Sequence, residues 1–370
     1  MAKPVKLVAA NDTFGALVAV TEALAGKHAL FITPPETNGL MPEVHGLPNE
    51  VADVVAFIVQ SSGSTGSPKL IQHSAASALA SAKASAEALG GSGQWLLALP
   101  LNYIAGLNVL VRSAFAETQP VMMNPSVSFT SEAFVSSTSF LRGEKKFTAL
   151  VPTQLSRLAT AAQHDESVLR ALKTYDAILI GGQATAPALL SELREQGVNL
   201  IETYGSAETF GGVVYEGVPL PCAQVSITED SRIQIESETL AIDIADKFVT
   251  NDLGEIVDGR LKVLGRADRV IISGGIKVSL DRVEAIAREV AGVVEMVAAP
   301  IADTEWGQRV GVMYLGSPEV ADEIATQLAD LLGPAAKPLR VIRVDRVPKL
   351  SSGKYDLLAA AAIFAKEHDD

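Results

Sequence analysis

Apolar and polar positions fall into blocks along the chain, and the period of the blocks changes. Phe14–Ala25 carries apolar residues at helical spacing, and His28-Ala-Leu-Phe-Ile-Thr33 reads as a buried strand. Pro and Gly residues after Thr33 mark a loop, so the first 50 residues predict a helix, a short strand and a loop. Val51–Val59 is the next strand candidate. Ser74–Leu89, rich in Ala and Ser, predicts a helix stopped by Gly90-Gly91. Strands are expected at Trp95–Leu99, Thr148–Val151, Ala177–Ile180 and Asn199–Glu202, with helical patterns such as Gln154–Gln163 and Pro187–Gln196 between them. This alternation predicts an α/β domain around a largely parallel sheet. Beyond Pro219 the blocks shorten, and Ser226–Thr228, Arg232–Ser237 and Leu240–Ile244 read as short strands joined by acidic turns. From about Asp268 a second helix–strand alternation begins, which predicts a separate unit of about 100 residues.

Composition narrows the class. The 370 residues suggest two domains or three. With 48% hydrophobic and 20% charged residues, the chain holds enough apolar material for a large core and is not a disordered polymer. No apolar run reaches the roughly 20 residues of a membrane span. The start, MAKPVKLVAANDTF, lacks the apolar stretch of a signal peptide, so the expectation is a cytoplasmic protein. Cys222 is the single cysteine, which excludes an intrachain disulfide, and His28, His45, His73, His164 and His368 show no paired metal-ligand spacing. A net charge of −13 argues against a general nucleic-acid binder. An anionic ligand must then be met locally, by Lys, Arg, Mg²⁺ or backbone N–H groups.

One stretch raises that possibility directly. Ser61 to Gly66 contains only Ser, Thr and Gly, one residue after the apolar run Val54–Val59, and Lys69 follows. Glycines let backbone N–H groups approach a phosphate and hydroxyls add donors; a solvated turn is the plain alternative. The spacing GxxxxGK[ST] does not fit. Pro68 before the lysine, with Leu70 and Ile71 after it, predicts a hairpin-like loop that enters a strand instead of capping a helix.

Further motifs occur in a fixed order. Ser62-Gly-Ser-Thr-Gly-Ser-Pro-Lys69 resembles the phosphate loop of the adenylate-forming superfamily of acyl- and aryl-CoA ligases and peptide-synthetase adenylation domains. Leu99-Pro-Leu-Asn-Tyr-Ile-Ala-Gly106 resembles its acyl-pocket segment, and Ala177-Ile-Leu-Ile-Gly-Gly182 the strand and turn beside adenine. Tyr204-Gly-Ser-Ala-Glu-Thr209 and Thr250-Asn-Asp-Leu-Gly254 resemble the Tyr-Gly-x-x-Glu and Thr-Gly-Asp-x-Gly motifs. Gly265-Arg-Ala-Asp-Arg-Val-Ile-Ile-Ser-Gly-Gly275 resembles the hinge and the strand after it, and Pro348-Lys-Leu-Ser-Ser-Gly-Lys354 the C-terminal lysine motif. The resemblance covers roughly Val51 to Lys354. Within it, Ala105–Ser113, Ala149–Leu158 and Tyr204–Pro221 resemble the short actinobacterial-type o-succinylbenzoate–CoA ligases of menaquinone biosynthesis, which also share the early position of the phosphate loop.

The resemblance implies a fold and a division of labour. The fold is α/β, with an N-terminal adenylation core over residues 1–267, shortened at its start, and a small mobile α+β domain over 268–370 that swings about Asp268. A carboxylate attacks the α-phosphate of ATP, then the thiol of coenzyme A attacks the acyl-adenylate. Lys354 would bridge carboxylate and α-phosphate. Ser61, Ser62, Gly63, Ser64, Thr65, Gly66 and Lys69 would hold the outer phosphates, with Thr65 and Lys69 the side-chain contacts. Glu208 would bind Mg²⁺, and Asp252 would accept from the ribose hydroxyls with Arg266 beside it. Gly181 and Gly182 allow close approach to acyl group and adenine, near Tyr204 and Gly205. Gly274 and Gly275 would line the thiol channel. Tyr103, Asn108 and Tyr204 are pocket walls, and Arg112 is a candidate partner for the aromatic carboxylate of o-succinylbenzoate or else a helix-end anchor. Tyr103 stands where many relatives have histidine, Asn251 replaces a glycine, and Leu70 follows Lys69 where glycine is usual. Three readings stay open beside this one: a ligase for another aromatic or short acid, an enzyme that loads a carrier protein, and an inactive nucleotide-binding homologue. A homodimer is open as well.

Overall fold

The computed structural model describes residues 2–61, 69–125, 127–350 and 355–366. Strand β1 (Ala2–Ala9), helix α1 (Thr13–Leu24) and strands β2 (Ala29–Thr33), β3 (Glu50–Ala52), β4 (Val55–Ser61) and β5 (Lys69–Ser74) open the chain. The five strands form one sheet in the order β3-β1-β2-β4-β5. β1, β2 and β4 run parallel, and β3 and β5 add antiparallel edges. β2 and the first five residues of β4 are buried throughout, as strands covered on both faces must be. The sequence pattern misses β1 because Lys3, Pro4 and Lys6 interrupt its apolar residues. The single strand expected over Val51–Val59 is corrected: a turn at Asp53-Val54, with Val54 exposed, divides it into β3 and β4.

Helix α2 (Ala75–Ala88) begins at Ser74, whose side chain accepts from the Ser77 N–H. Then follow β6 (Gln94–Leu97), α3 (Ile104–Phe115), β7 (Val121–Met122), α4 (Ser131–Thr138), β8 (Lys146–Leu150), α5 (Pro152–Ala162) and α6 (Glu166–Leu172). β9 (Ala177–Ile180), α7 (Pro187–Glu195), β10 (Leu200–Ser206), β11 (Gly211–Tyr215) and β12 (Val218–Pro219) complete a seven-stranded sheet in the order β12-β11-β10-β9-β8-β6-β7. β10, β9, β8, β6 and β7 are mutually parallel, while β11 and β12 are antiparallel. One core, built from α1, α2 and α3, fills the space between the two sheets; α4 to α7 cover the far face of the second. The largely parallel sheet is thus two sheets with antiparallel margins.

Strands β13 (Ala223–Ile227), β14 (Arg232–Ser237), β15 (Phe248–Val257) and β16 (Arg260–Arg266) form an antiparallel meander. Leu240–Ile244, expected as a strand, is irregular. Its backbone donors go elsewhere: the Ala241 N–H bonds the Glu208 carbonyl and the Ile242 N–H bonds the Gln72 carbonyl, both at 2.9 Å.

After the short turn at Ala267–Arg269 come β17 (Val270–Ser273), β18 (Ile276–Ser279), α8 (Leu280–Arg288), β19 (Val293–Asp303), β20 (Gly307–Gly316), α9 (Ala321–Leu332), β21 (Arg340–Arg343) and α10 (Leu357–Lys366). Their sheet runs β18-β17-β20-β19, with β21 parallel to β20. α8 and α9 pack on one face and α10 on the other, so this unit has apolar cores of its own. Among the described residues no helix is long and apolar enough to cross a membrane.

Candidate active site

The β4–β5 hairpin places the Ser/Thr/Gly loop. Ser61 and Lys69 face each other across the antiparallel pair, with Lys69 exposed, as the proline signal predicts. Ser62, Gly63, Ser64, Thr65 and Gly66 lie outside the described residues, as does Lys354.

The carboxyl ends of parallel strands are where open α/β sheets take ligands. Three sequence candidates collect there. Gly181 follows β9 directly, and a Cβ on it would meet Thr203 Oγ1 at 2.5 Å, so a side chain would push β10 away. Gly182 has φ 88°, a left-handed backbone that suits glycine. Tyr103 caps the start of α3 and is half-buried. Tyr204, within β10, reaches the meander with its hydroxyl.

There the structure joins residues that are far apart in sequence. The Tyr204 hydroxyl donates to Asp252 Oδ2 at 2.8 Å, and Arg266 Nη1 reaches Asp252 Oδ1 at 3.3 Å. Arg266 also holds Asp268 with two bonds, Nε to Oδ1 at 2.8 Å and Nη2 to Oδ2 at 2.7 Å. The β15–β16 pairing sets this geometry, because Asp252 and Arg266 are directly opposite in register. Burial first, and then the Asp252 charge, pushes the Tyr204 phenol well above the usual tyrosine range, so it stays a donor. The Asp268 hydrogen bonds hold the Arg266 guanidinium above its ordinary value. Asp252 thus presents a carboxylate braced from two sides, at the junction of the two chain segments.

Glu208 sits in the turn between β10 and β11. That turn is tight: a Cβ on Gly205 would lie 2.0 Å from the Gly211 carbonyl oxygen, and Phe210 takes φ 51°. Thr209 Oγ1 accepts from the Ser206 N–H at 2.9 Å and donates to the Gly211 carbonyl at 2.7 Å. Among the described residues the Glu208 carboxylate has no hydrogen bond or ion pair, and no cluster of three His, Cys, Asp or Glu could cage a metal. One carboxylate with no partner among the described residues fits a Mg²⁺ ion that takes its remaining ligands from phosphate and water.

Two candidates are placed differently. Asn108 is 1% exposed, and its Nδ2 donates to the Phe210 carbonyl at 2.7 Å, so it touches the Glu208 turn from behind. Arg112 lies in the last turn of α3, nine residues and about 13 Å of helix from Tyr103. Its guanidinium stacks 4.9 Å from the Trp95 ring and donates to the Tyr215 hydroxyl at 3.1 Å. The structure therefore does not bring Arg112 to Tyr103 or Tyr204, and the helix-anchor alternative describes its contacts. Gly274 and Gly275 form the β17–β18 turn with φ 57° and 82°. Cys222 is half-buried, and burial pushes its thiol up, which makes it a poor nucleophile.

Two further residues reach this region without a sequence signal, His73 and Asp281. His73 lies in β5 with its ring buried against Phe210, and Asp281 Oδ2 accepts from the Arg266 backbone N–H at 2.6 Å. Neither stands in a motif, and only the tertiary fold brings them to the site.

Comparison with known proteins gives a consistent result. Residues 8–239 match the AMP-binding enzyme family and residues 282–354 the AMP-binding enzyme C-terminal domain. The chain is similar to the "Probable 2-succinylbenzoate–CoA ligase" of Mycobacterium tuberculosis, with 34% identity over 95% of this chain and 96% of that one. A solved o-succinylbenzoate CoA synthetase from Bacillus subtilis, in complex with the acyl-adenylate intermediate, superposes with TM-score 0.73 and 23% identity over 93% of this chain and 80% of that one. The amide bond synthetase McbA from Marinactinospora thermotolerans shares the fold, with TM-score 0.75 at 20% identity over 98% and 80% of the two chains. Matches in both parts, over nearly the whole length of a relative, establish that this chain belongs to the AMP-binding enzyme family.

Proposed function

We propose that the chain is an ATP-dependent 2-succinylbenzoate–CoA ligase of menaquinone biosynthesis. The observation that carries the reading is the end-to-end likeness to the mycobacterial relative of that name. The braced Asp252 is consistent with it, since one carboxylate can accept from both ribose hydroxyls while Tyr204 and Arg266 fix its plane.

The reaction has two halves. A substrate carboxylate oxygen attacks the α-phosphorus, the bond to the β-phosphate oxygen breaks, and pyrophosphate leaves. The thiol of coenzyme A, losing its proton, then attacks the acyl carbon, and AMP leaves with the C–O electron pair. The first half brings two anions together, so the protein's work is charge neutralisation and positioning. In this reading Ser61, Lys69 and the loop residues 62–66 hold the outer phosphates. Glu208 supplies the protein carboxylate for Mg²⁺, and the bound ion neutralises phosphate charge. Gly181, Gly182 and Gly205 leave room for adenine and acyl group, with Tyr103 and Tyr204 as walls. Lys354 bridges the reacting anions. The unit over 268–370 moves about Asp268, which brings Gly274 and Gly275 to the thiol path. In this reading the enzyme draws on ATP and CoA and works in the cytoplasm.

The test is pyrophosphate release with ATP, Mg²⁺ and a panel of carboxylic acids, with and without coenzyme A, and the thioester identified by mass. Turnover confined to 2-succinylbenzoate and CoA is expected. Turnover with another acid replaces the substrate and keeps the mechanism, and transfer only to a carrier protein replaces the acceptor. Lys354→Ala is expected to slow adenylation by roughly 10²–10³-fold and spare CoA attack on preformed adenylate. Equal loss in both halves would remove the two-position role of this lysine.

A further inference from the structure

The turn that carries Glu208 is held by groups from outside its own Tyr204–Thr209 stretch. Three of its carbonyls have dedicated donors from separate parts of the fold. His73 Nε2 lies 2.7 Å from the Ala207 oxygen. A carbonyl only accepts, so Nε2 carries the proton. The Ala241 N–H bonds the Glu208 carbonyl at 2.9 Å. Asn108 Nδ2 at 2.7 Å and Ser81 Oγ at 3.2 Å both bond the Phe210 carbonyl. These donors come from β5, the 240–244 segment, α3 and α2. The turn they hold includes Phe210 at φ 51°, a conformation a bulky residue keeps only when its surroundings impose it.

Two of these three side-chain donors, His73 and Asn108, sit in dry surroundings. His73 is 0% and Asn108 1% exposed, and the His73 ring meets Phe210 edge-on with centroids 5.0 Å apart. Burial pushes the imidazole down to about 4, so it is neutral, and among the described residues its Nδ1 has no partner. Between the held carbonyls, the Glu208 carboxylate is without a partner among the described residues.

We infer that His73 and Asn108 are positioning residues: they clamp the carbonyls on either side of Glu208 and so fix its carboxylate for the Mg²⁺–ATP complex. This rests on the metal role proposed for Glu208. The clamp acts as outer partners of metal ligands do, by removing the freedom that the ligand would otherwise lose on binding.

The experiment compares His73→Leu, His73→Gln, Asn108→Ala and Glu208→Gln with the unaltered protein. Two quantities are read: the Mg²⁺ concentration for half-maximal tightening of ATP binding, measured by calorimetry without acid, and the KM of the acid in turnover. His73→Leu removes the donor, and a rise of about tenfold or more in half-saturating Mg²⁺ is expected, with the acid KM within about twofold. His73→Gln retains an amide N–H for the Ala207 carbonyl and is expected to recover most of the loss. If His73→Leu does not fold, Asn108→Ala carries the same expectation from the other end of the turn. Folded His73→Leu and Asn108→Ala with unaltered Mg²⁺ dependence would overturn the clamp, as would His73→Gln no better than His73→Leu. Glu208→Gln separates the two levels. If it leaves the Mg²⁺ dependence unchanged, the metal role itself fails and the clamp with it; if it shifts while the clamp variants do not, the clamp alone fails.

Discussion

Asp252 illustrates how a single carboxylate is prepared for a polar ligand. Tyr204 and Arg266 occupy one side of each oxygen, so the remaining lone pairs point in fixed directions. Asp252→Asn keeps the shape and removes the charge. The expected outcome is a rise in the KM for ATP on the order of tenfold, the usual weight of a hydrogen bond to a charged group, with little change in the unfolding midpoint. A KM within twofold of the parent would take Asp252 out of the nucleotide site. Arg112 is the opposite case. Its charge is legible in the sequence, but its surroundings are not, because Trp95 and Tyr215 reach it from other elements. Arg112→Ala is expected to cost about 2 kcal/mol in urea unfolding, through the lost ring contact and hydrogen bond, and to leave the acid KM within about twofold. A large KM effect at full stability would return it to the acyl pocket. His73 has a further consequence for pH. Burial lowers its folded value to about 4, so in the native state it resists a proton that the unfolded chain accepts near 6.5. The stability it contributes is complete above about 6.5 and is lost as pH falls toward 4, with the Glu208 and Asp243 charges opposing the shift. His73→Gln should flatten that limb of the stability–pH curve; an unchanged slope would mean that another group titrates there.

Elements are legible where a local rule decides them. Pro68 and the apolar residues after Lys69 predict a hairpin, and β4–β5 is one. Leu240–Ile244 has the composition of a strand, yet its N–H groups are used to hold the Glu208 turn and β5, which no local pattern reveals. The β17–β18 turn is the element whose glycines can be separated by experiment. Both have positive φ, but a Cβ on Gly274 would lie 2.7 Å from Trp306 Cε3, whereas nothing lies within 4 Å of one on Gly275. Gly275→Ala should therefore cost only the backbone strain, roughly 1–2 kcal/mol. Gly274→Ala adds a clash with an indole ring. If this turn lines the thiol path, both variants should slow thioester formation more than adenylate formation. Stopped-flow measurement of the two half-reactions tests this, and equal slowing would assign the turn a stability role only.

Across the whole molecule, the order of motifs is legible from Ser61 to Lys354, because each rests on residues adjacent in sequence. The contacts that join the two parts are not. Asp281 lies in the first turn of α8, where an acidic residue is an ordinary choice for a helix start. Folding gives it a second use. Its Oδ2 accepts from the Arg266 backbone N–H at 2.6 Å, and its Oδ1 lies 2.6 Å from Arg269 Nε, an ion pair that is close but not aligned as a hydrogen bond. Arg269 also pairs with the buried Glu284. Asp281 therefore ties α8 to residues on both sides of Asp268. Any rotation about Asp268 that carries α8 away from β16 must break the bond to Arg266. A hydrogen bond to a carboxylate contributes about 1.5 kcal/mol or more, which is roughly tenfold in the ratio of two conformations. Asp281→Ala removes that bond from one arrangement only, while Arg269 keeps Glu284. The rates of adenylate formation and of thioester formation should then move in opposite directions, and their ratio should change by roughly tenfold. Parallel changes in the two rates, or none with the protein fully folded, would mean that the 268–370 unit does not move against this bond.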